Sequence, residues 1–343
     1  MSIVISKLKP SDHADWDDYV CKTQSSIYHD LRWSQLIKKV FGHDSHYFMA
    51  RDNEKVVGIL PLIQLKSLLF GNFMVSMPYF NYGGIVADTD EITMSLFRAA
   101  HELSDELRCA HIELRFDKQQ QIELPERTDK VTMLLDLPKD PDQLWQAIGS
   151  KRRAQVKRPI REGAEFVCGG RELLDDFYHV FSCNMRDLGT PVYSKLFFSE
   201  ILNAFEKESL IGVVALNGEP VGGGFLIGHS GKLEIPWAST LRRYNRLGIN
   251  MFLYWNILKT AIELKYKVFD FGRSSKDSGT LKFKKQWGGQ EKPLYWYYDI
   301  KGNGPLPGLN SGNRKYKVAI NLWKKMPVGL SRMMGPHIVK SLP

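Results

Sequence analysis

IGVVAL (Ile211–Leu216) is an apolar run that stops at Asn217-Gly218-Glu219-Pro220, and VGGGFLIGH (Val221–His229) follows it before a second turn at Ser230-Gly231. Asn-Gly and Ser-Gly between apolar runs are hairpin signals, because glycine takes the positive φ that such turns need. Lys232–Ala238 continues as a third strand. Beyond it, Arg242-Arg243-Tyr244-Asn245-Arg246-Leu247-Gly248-Ile249-Asn250 opens a helix to about Leu264, in which Ile249, Phe252, Leu253, Ile257, Ala261 and Leu264 recur at helical spacing. Val268–Phe271 returns as a buried strand closed by Gly272. Three antiparallel strands, a glycine-opened helix and a further strand are therefore expected in that order. The triplet Gly222-Gly223-Gly224 within the second strand predicts a bulge, with close approach of a ligand as the alternative.

A helix N-terminus after the third strand offers unpaired N–H groups to an anion. Gly248 and Asn250, with Tyr244 just before them, are thus candidate binding residues for a phosphate-bearing ligand. Ordinary turn chemistry is the other reading of a lone glycine there.

At 343 residues with 43% hydrophobic content, the chain can bury a sizeable core and is long enough for two domains. Its opening Met-Ser-Ile-Val-Ile-Ser-Lys lacks a basic and then apolar leader, and no uncharged apolar run reaches the ~18 residues of a membrane span. A cytoplasmic protein is expected. The four cysteines (Cys21, Cys109, Cys168, Cys183) show no Cys-x-x-Cys spacing and read as reduced thiols. His43-x-x-His46 has no third ligand cluster, so no metal is expected.

From the beginning, residues 12–41 read as helical up to Gly42, His46–Ala50 and Val56–Ile63 as strands, and Met74–Tyr79 and Gly84–Val86 as extended. A helix from about Glu91 to Leu107, the strand His111–Phe116 and the strand Val131–Leu137 close this half. Strand, polar turn and Val-Gly strand (Val57-Gly58, Val221-Gly222) lead in both halves to a helix and a buried strand, which reads as an internal repeat at domain scale. The expected domains are 1–140, 141–303 and a basic tail, 304–343. Each domain is expected to hold a mixed, mostly antiparallel sheet flanked by helices.

Between the halves, Ser150–Arg161 carries six basic residues in twelve and no acidic one. Arg152 and Arg153 there are candidates for a phosphate-bearing ligand, against the alternative of a solvated helical face. Tyr295–Tyr298 alternates as a final strand. After Asp299 the chain has eight basic residues and no acidic one, with Ile320, Leu322 and Trp323 among them. Such a segment suits an anionic membrane surface, or packs as a plain terminal helix.

These residues carry a family resemblance. The strand and helix order is that of the GNAT acyltransferase core. The chain as a whole resembles the FemAB-like acyltransferases, which have two GNAT-like domains, and in particular a branch associated with exopolysaccharide and PEP-CTERM/exosortase gene sets. The segments that carry it include Val75–Gly84, Ser150–Arg153, Met185–Pro191, Asp270–Ser274, Gly279–Gly288 and Met334–Pro336. The resemblance implies a bacterial enzyme of the cell envelope that transfers an acyl or aminoacyl group onto an amine. Its donor would be aminoacyl-tRNA or acetyl-CoA, and its acceptor a lipid-linked or nucleotide-linked sugar or muropeptide. An acetyl-CoA-dependent N-acetyltransferase on an amino sugar, and a non-catalytic partner of a polysaccharide assembly, are the alternatives.

Direct acyl transfer needs a neutral amine, a path for its proton and stabilisation of an oxyanion. Glu234 and Asp270 are candidate proton acceptors, or else structural carboxylates hydrogen-bonded to a loop, and backbone N–H groups of Lys232–Ala238 are candidate oxyanion donors. Lys284 matches the lysine of the family's Phe-Lys motif and would stabilise negative charge in the transition state, with a surface lysine grouped with Lys282 and Lys285 as the alternative. Arg273 suits bidentate binding of a phosphate or carboxylate, or a loop ion pair with Asp277. Tyr82 and Asn81, in the loop before Gly83-Gly84, are candidates for lining a cleft between the two domains, with plain packing of the loop as the alternative.

Overall fold

The computed structural model describes residues 3–23, 25–68, 70–302, 304–307 and 314–342, without the side chains of 314–316. Part of the expected tail, 308–313, and the side chain of Tyr316 lie outside these. Two compact units emerge: Met1–Val131 with Pro293–Gly308 and Lys340–Pro343, and Thr132–Lys292 with Leu309–Val339.

The chain begins with β1 (Ile3–Lys7), α1 (His13–Lys22), α2 (Arg32–Phe41), β2 (Asp44–Ser45), β3 (Phe48–Asp52), β4 (Lys55–Leu60), β5 (Ile63–Ser67), β6 (Gly71–Val75) and β7 (Val86–Ala87). It continues with α3 (Asp90–Glu106), β8 (His111–Phe116), β9 (Glu126–Arg127), β10 (Lys130–Asp136), α4 (Pro141–Ala147), α5 (Gly149–Arg161) and β11 (Ala164–Gly169). Next come α6 (Leu174–Leu188), α7 (Lys195–Ala204), β12 (Ser209–Leu216), β13 (Glu219–His229), β14 (Lys232–Thr240), α8 (Ile249–Glu263) and β15 (Val268–Asp270). The last elements are β16 (Ser274–Ser275), α9 (Gly279–Lys285), β17 (Gln290–Pro293), β18 (Tyr295–Ile300), α10 (Arg314–Lys325) and α11 (Val328–Val339).

In the first unit the strands form a four-stranded sheet, β1-β3-β4-β7, and a six-stranded one, β2-β5-β6-β8-β18-β9. Two sequence expectations change here. Val56–Ile63 is not one strand, because Pro61 has no N–H for a ladder and divides β4 from β5, which then joins the other sheet. The stretch 12–41 is not one helix either, since it breaks between α1 and α2 around a short 3-10 turn, Ile27–His29. Gly42 does stop α2, in the left-handed conformation. Met77 and Tyr79 take positive φ, so the extended reading of Met74–Tyr79 ends with β6 at Val75.

In the second unit the sheet order is β11-β12-β13-β14-β15-β10-β16, with β17 also paired to β10. Val131–Leu137, read as closing the first half, is instead β10, antiparallel to β15 in this sheet. The neighbours β14 and β15 run parallel, aligned at Lys232/Val268, Leu233/Phe269 and Glu234/Asp270 only. The glycine triplet serves packing. Added Cβ atoms at Gly222 and Gly224 would meet Ile249 and Ile257 of α8 at 3.0 and 2.9 Å, and one at Gly223 would meet Phe177 of α6 at 3.2 Å. The register irregularities lie on either side of the triplet, near Val214/Ala215 and between Phe225 and Ile227. At the second, β14 carries the extra residue, and Pro236 falls there. A proline with no N–H is tolerated at such a point.

The architecture is mixed α/β, with helices flanking the sheets.

Candidate active site

The fork where β14 and β15 stop pairing gathers the second unit's buried charges. The parallel register sets Glu234 beside Asp270, and both are buried. Lys232, two residues before Glu234 and so on the same face, brings Nζ to 3.7 Å from Asp270 Oδ2. Asp270 Oδ1 accepts from Thr132 Oγ1 of β10 at 2.6 Å and from the Gly272 N–H at 2.9 Å.

Lys284 enters from α9. That helix is capped by Ser278, whose Oγ accepts the Leu281 N–H at 3.2 Å. Its phase buries Leu281 and Lys284 and leaves Lys282 and Lys285 to solvent. Lys284 Nζ donates to the Gly272 carbonyl at 2.7 Å and to the Arg273 carbonyl at 3.0 Å. Burial pulls the lysine down to about 8, against the opposing pull of Asp270 and then Glu234, while Arg273 adds to the lowering. Two of its hydrogens are engaged. The remaining position on nitrogen is a lone pair when neutral and a donor when charged. An aromatic wall backs it: Tyr254 of α8 meets Phe283 edge-on at 5.0 Å and stacks on Phe271 at 5.9 Å.

Gly248 takes φ +84° and opens α8, and no side chain caps this end. The first turn of α8 holds no acidic residue. Its counterpart in the first unit differs: α3 is capped by Thr89, with Asp90 and Glu91 in the first turn. An anion therefore suits the start of α8 and not that of α3. Asn250 is half-buried in the first turn, and Arg242 and Arg246 are exposed just before it. Tyr244 is tied down, its hydroxyl donating to Glu219 Oε2 at 2.6 Å, while Arg243 pairs with the same carboxylate.

The remaining sequence candidates fall elsewhere. Arg152 donates to the Ile148 carbonyl at 2.9 Å, and Arg153 to those of Trp145 and Gln146 at 3.3 Å. Both thus hold the C-terminal carbonyls of α4. Arg273 is exposed on the loop that Lys284 grips. Asn81 and Tyr82 belong to the first unit, where they are buried in a loop held by Arg115, which donates to the Phe80 carbonyl. Among the described residues no group of three or more His, Cys, Asp or Glu is placed to hold a metal. His43 and His46 turn to other partners, the Lys340 carbonyl and Gln64. Sequence reasoning missed Thr132 and Lys232. A lone hydroxyl inside the apolar run Val131–Leu135 and a Lys-x-Glu alternation at a strand start were the available signals.

Residues 150–285 match the family described as acetyltransferase (GNAT) domain. No curated protein matches the chain. Among solved structures the chain is similar to FemX (TM-score 0.65, 15% identity, covering 85% of this chain and 97% of that one). It is also similar to a tandem GNAT protein from the clavulanic acid biosynthesis pathway (0.56, 12%, 89% and 100%) and to L-PGS from Bacillus licheniformis (0.53, 15%, 94% and 99%). These likenesses establish the tandem GNAT fold.

Proposed function

We propose that the protein is an acyltransferase that moves an acetyl or aminoacyl group from an activated donor to an amine in cell-envelope peptidoglycan or exopolysaccharide synthesis. One observation carries the reading: the fork between β14 and β15 holds a buried lysine lowered to about 8 within the segment that matches a GNAT domain.

The residues fit a phosphate-bearing donor. Main-chain N–H groups at the start of α8, with Arg242 and Arg246, would hold its phosphates. In the transfer the acceptor nitrogen forms a bond to the acyl carbon, and the donor's thioester or ester bond breaks. Lys284 Nζ takes the amine proton and passes it to the leaving group. N–H groups of β14 on either side of Pro236 face the developing oxyanion. Asp270 and Lys232 hold the fork rather than react, because the Asp270 oxygens already have partners. The likeness to FemX supports an envelope acceptor, lipid-linked or nucleotide-linked, and membership of the exosortase-associated branch is part of this proposal.

Calorimetry of the purified protein with acetyl-CoA and with charged tRNA, followed by product analysis on amino-sugar and muropeptide acceptors, tests it. Binding of one donor with Lys284-dependent product is expected. Binding of neither donor and no product would overturn it in favour of a non-catalytic partner.

A further inference from the structure

Helices α10 and α11 lie against α6 by one face only. Added Cβ atoms show the closeness: one at Gly189, just past α6, would sit 2.6 Å from Ile320, and one at Gly335 would sit 2.8 Å from the Val192 backbone. Trp323, Ser331, Gly335 and Val339 are buried on this face. Arg332 Nε donates to Ser182 Oγ at 2.8 Å, and Arg186 of α6 donates to the Met326 carbonyl at 2.7 Å.

The opposite face is apolar and open. Val318 and Leu322, four residues apart on α10, are 53% and 66% exposed. On α11, Leu330, Met333 and Met334 share a face at i, i+3 and i+4, and Met333 is 63% exposed. A helix pair already docked on α6 has no need of these side chains for its own packing. The charge around them has one sign. Between 309 and 339 the sequence holds six basic residues and no acidic one, and Lys317 and Lys325 are exposed beside Val318 and Leu322. No helix among the described residues is long and apolar enough to cross a membrane.

We infer that the outer face of α10 and α11 docks on an anionic phospholipid surface, with Val318, Leu322, Leu330, Met333 and Met334 entering the interface and the lysines meeting lipid phosphates. Charge complementarity selects this occupant. A second copy of the same face would set its exposed lysines against one another, and an RNA would leave the apolar side chains in water. The inference stands apart from the acyl-transfer reading, since it uses none of the fork residues.

The test is co-sedimentation of the full chain with vesicles of neutral phosphatidylcholine and with vesicles containing about one-third phosphatidylglycerol. Binding to the anionic vesicles only, falling as salt is raised, is expected. Leu322→Glu with Met333→Glu should reduce the bound fraction at least tenfold, and Lys317→Glu with Lys325→Glu should do the same. All four positions are exposed, so both variants should keep the wild-type circular dichroism spectrum. Equal binding to both vesicle types, no binding by the wild type, or retention of binding by both folded variants would overturn it. So would a dimer in sedimentation equilibrium that Leu322→Glu dissociates, or salt-sensitive binding to RNA in place of vesicles.

Discussion

Asp270 and Lys284 grip the two polar groups of one glycine: the Asp270 carboxylate takes the Gly272 N–H at 2.9 Å, and the Lys284 ammonium nitrogen takes the Gly272 carbonyl at 2.7 Å. The turn that ends β15 is thereby fixed from both sides, and the same lysine also holds the Arg273 carbonyl. Its two roles, holding the turn and carrying a proton, are separable by substitution.

Lys284→Met removes both roles and Lys284→Arg only the second, because an arginine keeps its donors but does not release its proton near neutrality. Turnover should fall by about 10²- to 10⁴-fold in either variant. Wild-type kcat should rise with pH through a midpoint near 8, and this limb should vanish in Lys284→Arg. A pH–rate profile unchanged by Lys284→Arg would remove the lysine from proton transfer.

Stability carries a matching signature. A lysine lowered from 10.5 to about 8 binds fewer protons in the folded than in the unfolded state between those values. Folding stability therefore rises with pH across that window, and the contribution is lost as pH falls through 8. Urea unfolding of wild type and Lys284→Met at pH 7.5 and 9.5 should show the wild type gaining on the variant at the higher pH.

Gly272 itself tolerates little. It takes φ +69°, and a Cβ would lie 3.2 Å from the Ile235 carbonyl oxygen across the fork. Gly288 takes a similar φ of +87°, but its nearest neighbour would be Leu135 Cδ1 at 3.9 Å. Gly288→Ala should thus lose about 1 kcal/mol from backbone strain alone. Gly272→Ala should lose more, roughly 2–3 kcal/mol, with activity falling alongside. Equal losses in thermal unfolding would show that the Ile235 contact is without consequence.

Local patterns foretold the elements that local patterns make. His111–Phe116 is β8 as read, and the hairpin turns at Asn217-Gly218 and Ser230-Gly231 deliver β12, β13 and β14. What escaped depends on distant pairing. Nothing in Val131–Leu137 reveals that β10 lies beside β15, or that Thr132 reaches Asp270. Likewise, Tyr295–Ile300 alternates as a strand, yet its partner β8 is far back in the chain. Lys284 resembled Lys282 and Lys285 on paper, and only the phase of α9 buries it. Arg152 and Arg153 carry the charge that suits phosphate, and what no local pattern reveals is that Nη1 of each bonds carbonyls at the end of α4.

The first unit contains a buried ion pair whose loss should be felt as folding energy. Arg115 bonds Glu113 at 2.7 Å, donates to the Phe80 carbonyl at 2.5 Å and lies 4.2 Å above the Trp296 ring. Removing one partner leaves the other charge buried without compensation, so Arg115→Met should destabilise by roughly 3–5 kcal/mol. Arg115→Met with Glu113→Gln should recover part of that loss. Denaturant midpoints for the two variants check this, and a double variant no better than the single would show that the carbonyl bonds to the Asn81–Tyr82 loop outweigh the charge pair.

Donor binding can be separated from the fork at the start of α8. Arg242 and Arg246 are exposed, so replacing both with alanine should leave folding intact. If they and the helix N-terminus hold donor phosphates, the double variant should raise the donor KM about tenfold, weaken its salt dependence and leave the acceptor KM unchanged. Gly248→Ala acts on the same end by shape, since a Cβ there would lie 3.0 Å from the Gln155 carbonyl at φ +84°. It should raise the donor KM as well. A rise in acceptor KM instead would put the acceptor, and not the donor, at the mouth of α8.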